Sequence, residues 1–153
     1  MQRHALTLAT ALATLVVATD AAAQAYKFSP PNTRFSASGT SFVTKDQVQI
    51  VCTMTVKMRT NKKGVLKFTS AEFTGGSDCP QAQALPWKVK SPGFESAFIK
   101  NLSISSSLGD CTAPMFPMFL TGGTILLSYT FPDCGVAFAA QLPTTPTLLL
   151  VPK

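Results

Sequence analysis

Between Gln47 and Arg59 the chain alternates: Val48, Ile50, Cys52, Met54, Val56 and Met58 are apolar, and Gln49, Thr53, Thr55, Lys57 and Arg59 stand between them. A period of two places one set of side chains on each face of an extended strand, so this stretch reads as a strand with one face buried. Two further runs follow the rule. Ile125, Leu127, Tyr129 and Phe131 alternate with Thr124, Ser128 and Thr130, and Cys134, Val136, Phe138, Ala140 and Leu142 form the next. Asn61-Lys62-Lys63-Gly64 and Gly122-Gly123 carry the turn chemistry of hairpins beside these strands. No stretch beyond residue 25 keeps a long helical period, and eleven prolines would break an ordinary helix. The pattern predicts an all-β fold, most simply an antiparallel β-sandwich.

The first residues have a different design. Arg3 and His4 precede an apolar stretch from Ala5 to Ala18, and a small-residue run ends in Ala23-Gln24-Ala25. Charge, apolar core and A-x-A exit in that order predict a cleaved signal peptide over residues 1–25. The apolar stretch is shorter than the roughly 20 residues of a membrane-spanning helix. The expected mature part, residues 26–153, has the size of one domain and keeps the net charge of +6, because Arg3 and Asp20 leave together.

Cys52, Cys79, Cys111 and Cys134 all fall in that mature part. An even number in an exported chain predicts two disulfides, and four cysteines allow three pairings. A faint half-repeat narrows the choice. Cys52, a hairpin and Asp78-Cys79 are echoed by Cys111, a hairpin and Asp133-Cys134, which favours the bonds Cys52–Cys79 and Cys111–Cys134 and two similar halves.

Little catalytic chemistry is available. His4 is the single histidine and leaves with the signal peptide, so a Ser-His-Asp or Cys-His system is excluded and the commonest metal ligand is gone. The cysteines are too widely spaced for a C-x-x-C pair. Asp46, Glu72, Asp78, Glu95, Asp110 and Asp133 show no close pairing suited to acid-base work, and the three Asp that precede cysteines read as turn formers. No phosphate loop is present. The expectation is a protein without catalytic residues, cofactor or metal.

Two segments suggest surfaces. Lys57, Arg59, Lys62, Lys63 and Lys67 surround one hairpin, with Lys88 and Lys90 beyond. Such charge suits an anionic lipid or polymer; the plainer reading is a solvated hairpin end that discourages edge-strand aggregation. No aromatic residues interleave the charges, so nucleic acid is not expected. Pro114-Met115-Phe116-Pro117-Met118-Phe119-Leu120 is the most apolar run that does not alternate cleanly. It is either a strand buried on both faces or an adhesive patch, and four large residues around Pro117 cannot all share one strand face. Met115, Phe116, Met118 and Phe119 are therefore the candidate apolar contacts. Trp87 reads as a core anchor.

Phe28-Ser29-Pro30-Pro31-Asn32-Thr33, the Ser/Gly/Thr-rich strand from Phe35 to Val43, Gly75-Gly76-Ser77-Asp78-Cys79, Leu85-Pro86-Trp87-Lys88-Val89 and the closing Pro146 to Pro152 together resemble the bacterial exported proteins called protein activators of alkane oxidation, the Pra family. The likeness covers nearly all of the mature chain. It implies a non-enzymatic, secreted, periplasmic or cell-surface protein linked to growth on hydrocarbons or to biofilm behaviour, and it supplies no catalytic residues. Association with hydrocarbon or cell-surface material is the expected role, and a self-associating matrix or adhesin subunit is the alternative. A small outer-membrane barrel is the further possibility, against which the cysteines and prolines count.

Overall fold

The computed structural model describes residues 25–91, 93 and 96–153; the rest of the expected signal peptide, residues 1–24, lies outside them. Eleven strands follow in order: β1 (Tyr26–Ser29), β2 (Arg34–Lys45), β3 (Val48–Thr60), β4 (Leu66–Thr74), β5 (Gln81–Gln83), β6 (Trp87–Lys90), β7 (Ser96–Ser106), β8 (Gly109–Thr121), β9 (Thr124–Thr130), β10 (Ala137–Thr145) and β11 (Leu149–Pro152). There is no helix among the described residues.

The expected all-β class holds, and the expected sandwich does not. Strands β2, β3, β4, β6, β7, β8, β9 and β10 each pair antiparallel with the next, and β10 returns to pair with β2, closing an eight-stranded up-and-down barrel. Alternation says which face of a strand is buried. It is silent on whether that face meets a second sheet or the inside of the same one. β5 lies beside the far half of β7, at Gln81↔Ser105, and β6 beside its near half, at Val89↔Ile99. The two pieces run as one strand interrupted at Ala84-Leu85-Pro86.

Eight strands leave an interior that side chains can fill. Here Phe35, Met58, Phe68, Trp87, Ile99 and Phe116 are among the buried residues that fill it. Trp87 anchors the core as expected, its indole N–H donating to the Gln83 carbonyl at 2.8 Å. The two buried polar side chains are also satisfied. Ser41 donates to the Cys52 carbonyl, and Thr60 donates to the Pro30 carbonyl while accepting from the Thr33 N–H. A β-bulge opposite Lys57 and Met58 corrects the phase of β4. A one-residue slip turns a strand inside out, so the bulge lets Ala71 on one side of it and Leu66 and Phe68 on the other all face inward.

The ends of the barrel differ. At one end β1 and β11 form a two-stranded ribbon whose Phe28 and Leu150 are buried, as is Leu148 just before β11. The Phe28 N–H bonds to the Gly64 carbonyl in the β3–β4 turn. Gly64 has φ +71°, and an added Cβ there would lie 2.7 Å from the Phe28 carbonyl oxygen. The turn itself is set by Asn61, whose Oδ1 accepts from the N–H groups of Lys63 and Val65.

The other end is stitched by the two disulfides, Cys52–Cys79 and Cys111–Cys134, the pairing the half-repeat favours. Each joins the start of a long strand, β3 or β8, to the loop after the following strand. Closing loops of 27 and 23 residues is worth about 2 to 4 kcal/mol each. Cys52→Ala/Cys79→Ala is therefore expected to lower unfolding free energy by that amount in urea titration. A change below about 0.5 kcal/mol would show that the loop is held by other contacts.

Of the aspartates expected to shape local turns, two reach across strands instead. Asp133 accepts from the Thr112 N–H at 2.8 Å, and Asp110 accepts from the Ser105 hydroxyl. A strand neighbour offers these carboxylates a donor that the local turn does not.

Candidate apolar contact surface

The site is built by β8 and its two neighbours. Along β8 the alternation breaks once. Pro114 and Met115 both face outward, and opposite them on β7 Lys100 and Asn101 do the same, Asn101 at φ +51°. The matched irregularities keep the β7–β8 register and rephase both strands. Beyond them Phe116 and Met118 point into the barrel and are 0 % and 1 % exposed, whereas Met115 and Phe119 point outward and are 45 % and 47 % exposed.

The four sequence candidates thus divide by face. Phe116 packs against the rings of Tyr129, Phe131 and Phe138, with centroids 5.2, 5.5 and 5.9 Å away. It and Met118 belong to the core and have no outer surface to offer. Met115 and Phe119 are joined instead by two residues that sequence reasoning passed over. Phe98 on β7 stands opposite Pro117, and Leu126 on β9 stands opposite Phe119. Leu126 is 37 % exposed. Its signal in the sequence is an apolar residue in the polar slot between Ile125 and Leu127. Phe98 occupies the same kind of slot between Ala97 and Ile99.

Phe98, Met115, Pro117, Phe119 and Leu126 form one outward patch on three adjacent strands. Met115 to Phe119 spans about 13 Å along β8, and the flanking residues lie about 5 Å to either side. Lys90, opposite Phe98, and Lys100, opposite Met115, border it with positive charge. The wall is more loosely tied here than elsewhere. Pro114 and Pro117 lack N–H donors, and the β8–β9 ladder stops at Met118↔Leu127. Aromatic packing of Phe116 on Tyr129 and Phe131 bridges the rest of that seam.

Elsewhere the outer wall is largely Ser, Thr, Gln, Lys and Arg, for example Ser36, Ser38, Thr53, Lys57, Arg59 and Lys67, with a smaller apolar pair at Phe42 and Val51, which face each other on β2 and β3 and are 38 % and 53 % exposed. This is the reverse of a membrane-spanning barrel, whose outer band must be apolar. No described helix is long and apolar enough to cross a membrane. Cys111, Asp133 and Cys134 bring three ligand-type atoms together, but both sulfurs are held in the Cys111–Cys134 disulfide and are not thiolate ligands.

Fold and surface together define a small, disulfide-stitched, up-and-down β-barrel with a filled apolar interior, a polar wall and an apolar patch on that wall. Two disulfides suit an oxidising compartment, the periplasm or the cell exterior. The chain belongs to the alkane oxidation protein activator PraA/PraB-like family, whose profile matches residues 1–152. No curated protein and no solved structure matches it.

Proposed function

We propose that the mature protein is exported and acts without catalysis, associating with apolar material during hydrocarbon use through the patch of Phe98, Met115, Pro117, Phe119 and Leu126. The observation that carries this reading is the outward placement of Met115 and Phe119 on β8 with Leu126 beside Phe119 on β9, half-exposed apolar side chains on adjacent strands of a largely polar wall. Contiguous apolar residues held against water mark a contact surface. The family's link to alkane oxidation supplies the chemistry of the partner. The interior is not offered as a ligand cavity, since aromatic and aliphatic side chains fill it.

Partition of purified protein onto hexadecane droplets tests the reading. Covering three half-exposed side chains stabilises the bound state by a few kcal/mol, so Met115→Ser/Phe119→Ser/Leu126→Ser is expected to reduce droplet binding about tenfold or more. A folded triple variant that partitions like the parent protein would overturn the proposal. The alternative, a self-associating matrix subunit, draws on unpaired strand edges. Barrel closure leaves such edges, among the described residues, at the short β1, β5 and β11 and along the part of β8 before Met118 that has no ladder to β9. Concentration-dependent oligomers formed without oil would favour it instead.

A further inference from the structure

The basic residues form more than a hairpin end. Arg34 on β2 stands opposite Arg59 on β3, Arg59 stands opposite Lys67 on β4, and Lys67 stands opposite Lys88 on β6. All four side chains are exposed on the outer wall. Four adjacent strands therefore carry four cations in one lateral row, with steps of about 4.8 Å and a span of about 14 Å. Like charges directly opposite each other on neighbouring strands are destabilising, and the row contains three such pairs.

Guarding an edge does not account for it. Each of the four strands is paired on both sides within the closed barrel, so there is no edge for the charges to protect. The aspartates lie elsewhere. Asp46, Asp78, Asp110 and Asp133 sit in turns, loops or strand starts at the disulfide end.

Three open surface grooves, of about 530, 580 and 390 Å³, follow the row. The first and second share Arg59 and Thr69, and the second and third share Lys63 and Val65, so they run into one another. Lys57 lines the first, Lys62 the second, and Lys90, Lys100 and Lys153 the third. Among the described residues no carboxylate side chain lines any of them; Glu72, exposed on β4, stands farther along that strand opposite Thr55.

We infer that this trough binds an acidic polysaccharide, a polymer bearing ionised carboxylates at sugar-sized intervals along its length. The row and the grooves that follow it give an extended run of cations, so a polymer whose carboxylates repeat along its length can be held at several points at once. A single-stranded nucleic acid is bound by successive aromatic stacking platforms as well as charge; among the described residues lining the trough, Tyr26 is the one ring that is not buried. An anionic lipid surface is met by basic residues flanked with inserting apolar ones. On one side the row's outward neighbours Ser36, Lys57 and Thr69 are polar; on the other the exposed Val65, and past Lys90 and Lys100 the apolar patch, lie beside it, so phosphatidylglycerol vesicles are the comparison that decides between a polymer and a lipid surface.

Retention on immobilised polygalacturonate tests the inference, with uncharged dextran, phosphatidylglycerol vesicles and duplex DNA as comparison ligands. The parent protein is expected to bind polygalacturonate at about 0.05 M salt and to release it by about 0.5 M, where screening is short-ranged. Arg59→Gln/Lys67→Gln is expected to bind several-fold more weakly, and the four-residue variant at Arg34, Arg59, Lys67 and Lys88 at least tenfold more weakly. Both are expected to melt no lower than the parent, because repulsion is removed, and the two-residue variant keeps the test open if the larger one misfolds. Lys45→Gln removes a charge at the disulfide end of the barrel, where Lys45 donates to the Leu108 carbonyl, and is expected to bind within twofold of the parent. The inference fails if the parent does not bind, if Lys45→Gln loses as much affinity as Lys67→Gln alone, or if DNA or vesicles bind more tightly than polygalacturonate.

Discussion

Replacing Phe116 with alanine is expected to destabilise the barrel by about 3–5 kcal/mol, the range for removing a fully buried aromatic ring. The ring is enclosed by Tyr129, Phe131 and Phe138, and it lies behind the stretch of β8 that has no ladder to β9. Hydrogen bonds elsewhere in the wall would hold the strands around a cavity, but here packing carries the seam, so the surroundings have little else to fix them. In a domain whose whole stability is of order 5–15 kcal/mol, the variant should be partly unfolded at 37 °C. Phe119→Ala, three positions on and facing outward, is expected to cost about 1 kcal/mol, because only half of its surface is covered. Urea unfolding of the two variants side by side gives the comparison. Equal losses would mean that β8 does not turn Phe116 in and Phe119 out. The contrast also separates core from contact: Phe119→Ala should weaken droplet binding while leaving the fold, and Phe116→Ala should do the opposite.

What could be seen in the sequence follows from how local each feature is. The strand containing Cys52, the turn at Asn61–Gly64 and the hairpin at Gly122-Gly123 depend on residues a few positions apart, and the structure has all three. The disulfide pairing was legible through the half-repeat, since each bond spans one hairpin. Closure was not legible. It rests on Phe138 meeting Val43 and Ala140 meeting Ser41, pairs separated by nearly a hundred residues, and nothing in either strand's alternation names its partner. The candidate patch was half visible for the same reason. Phe119 could be nominated from β8 alone, but Leu126 and Phe98 join it only through register with β9 and β7. The cations show the same limit. Lys62 and Lys63 advertise a basic hairpin, while the row from Arg34 to Lys88 exists only once four strands lie side by side.

A second large effect is expected at the closure itself. Gly39 lies on β2 where that strand crosses β10, between the paired residues Ala37↔Thr144 and Ser41↔Ala140. A Cβ built on Gly39 would fall 1.9 Å from the carbonyl oxygen of Gln141 and 3.0 Å from its carbon. The obstacle is backbone, which cannot rotate aside as a side chain can, so Gly39→Ala must push β10 away from β2 or bend one of them. Overpacking of this kind costs about 1–3 kcal/mol when neighbours can yield, and more when they cannot; about 3 kcal/mol or more is expected here. Gly76 supplies the control, since an added Cβ there meets nothing within 4 Å. Gly76→Ala is expected to be neutral or to stabilise by up to about 1 kcal/mol, through the less flexible unfolded chain. Hydrogen exchange locates the damage. In Gly39→Ala the amides that join β2 to β10 should exchange faster than those joining β7 to β8, because the barrel opens at the seam that the methyl group wedges apart. A Gly39→Ala protein as stable as Gly76→Ala, with β10 still protected, would mean that the first and last strands of the meander do not meet as closely as the closed barrel requires.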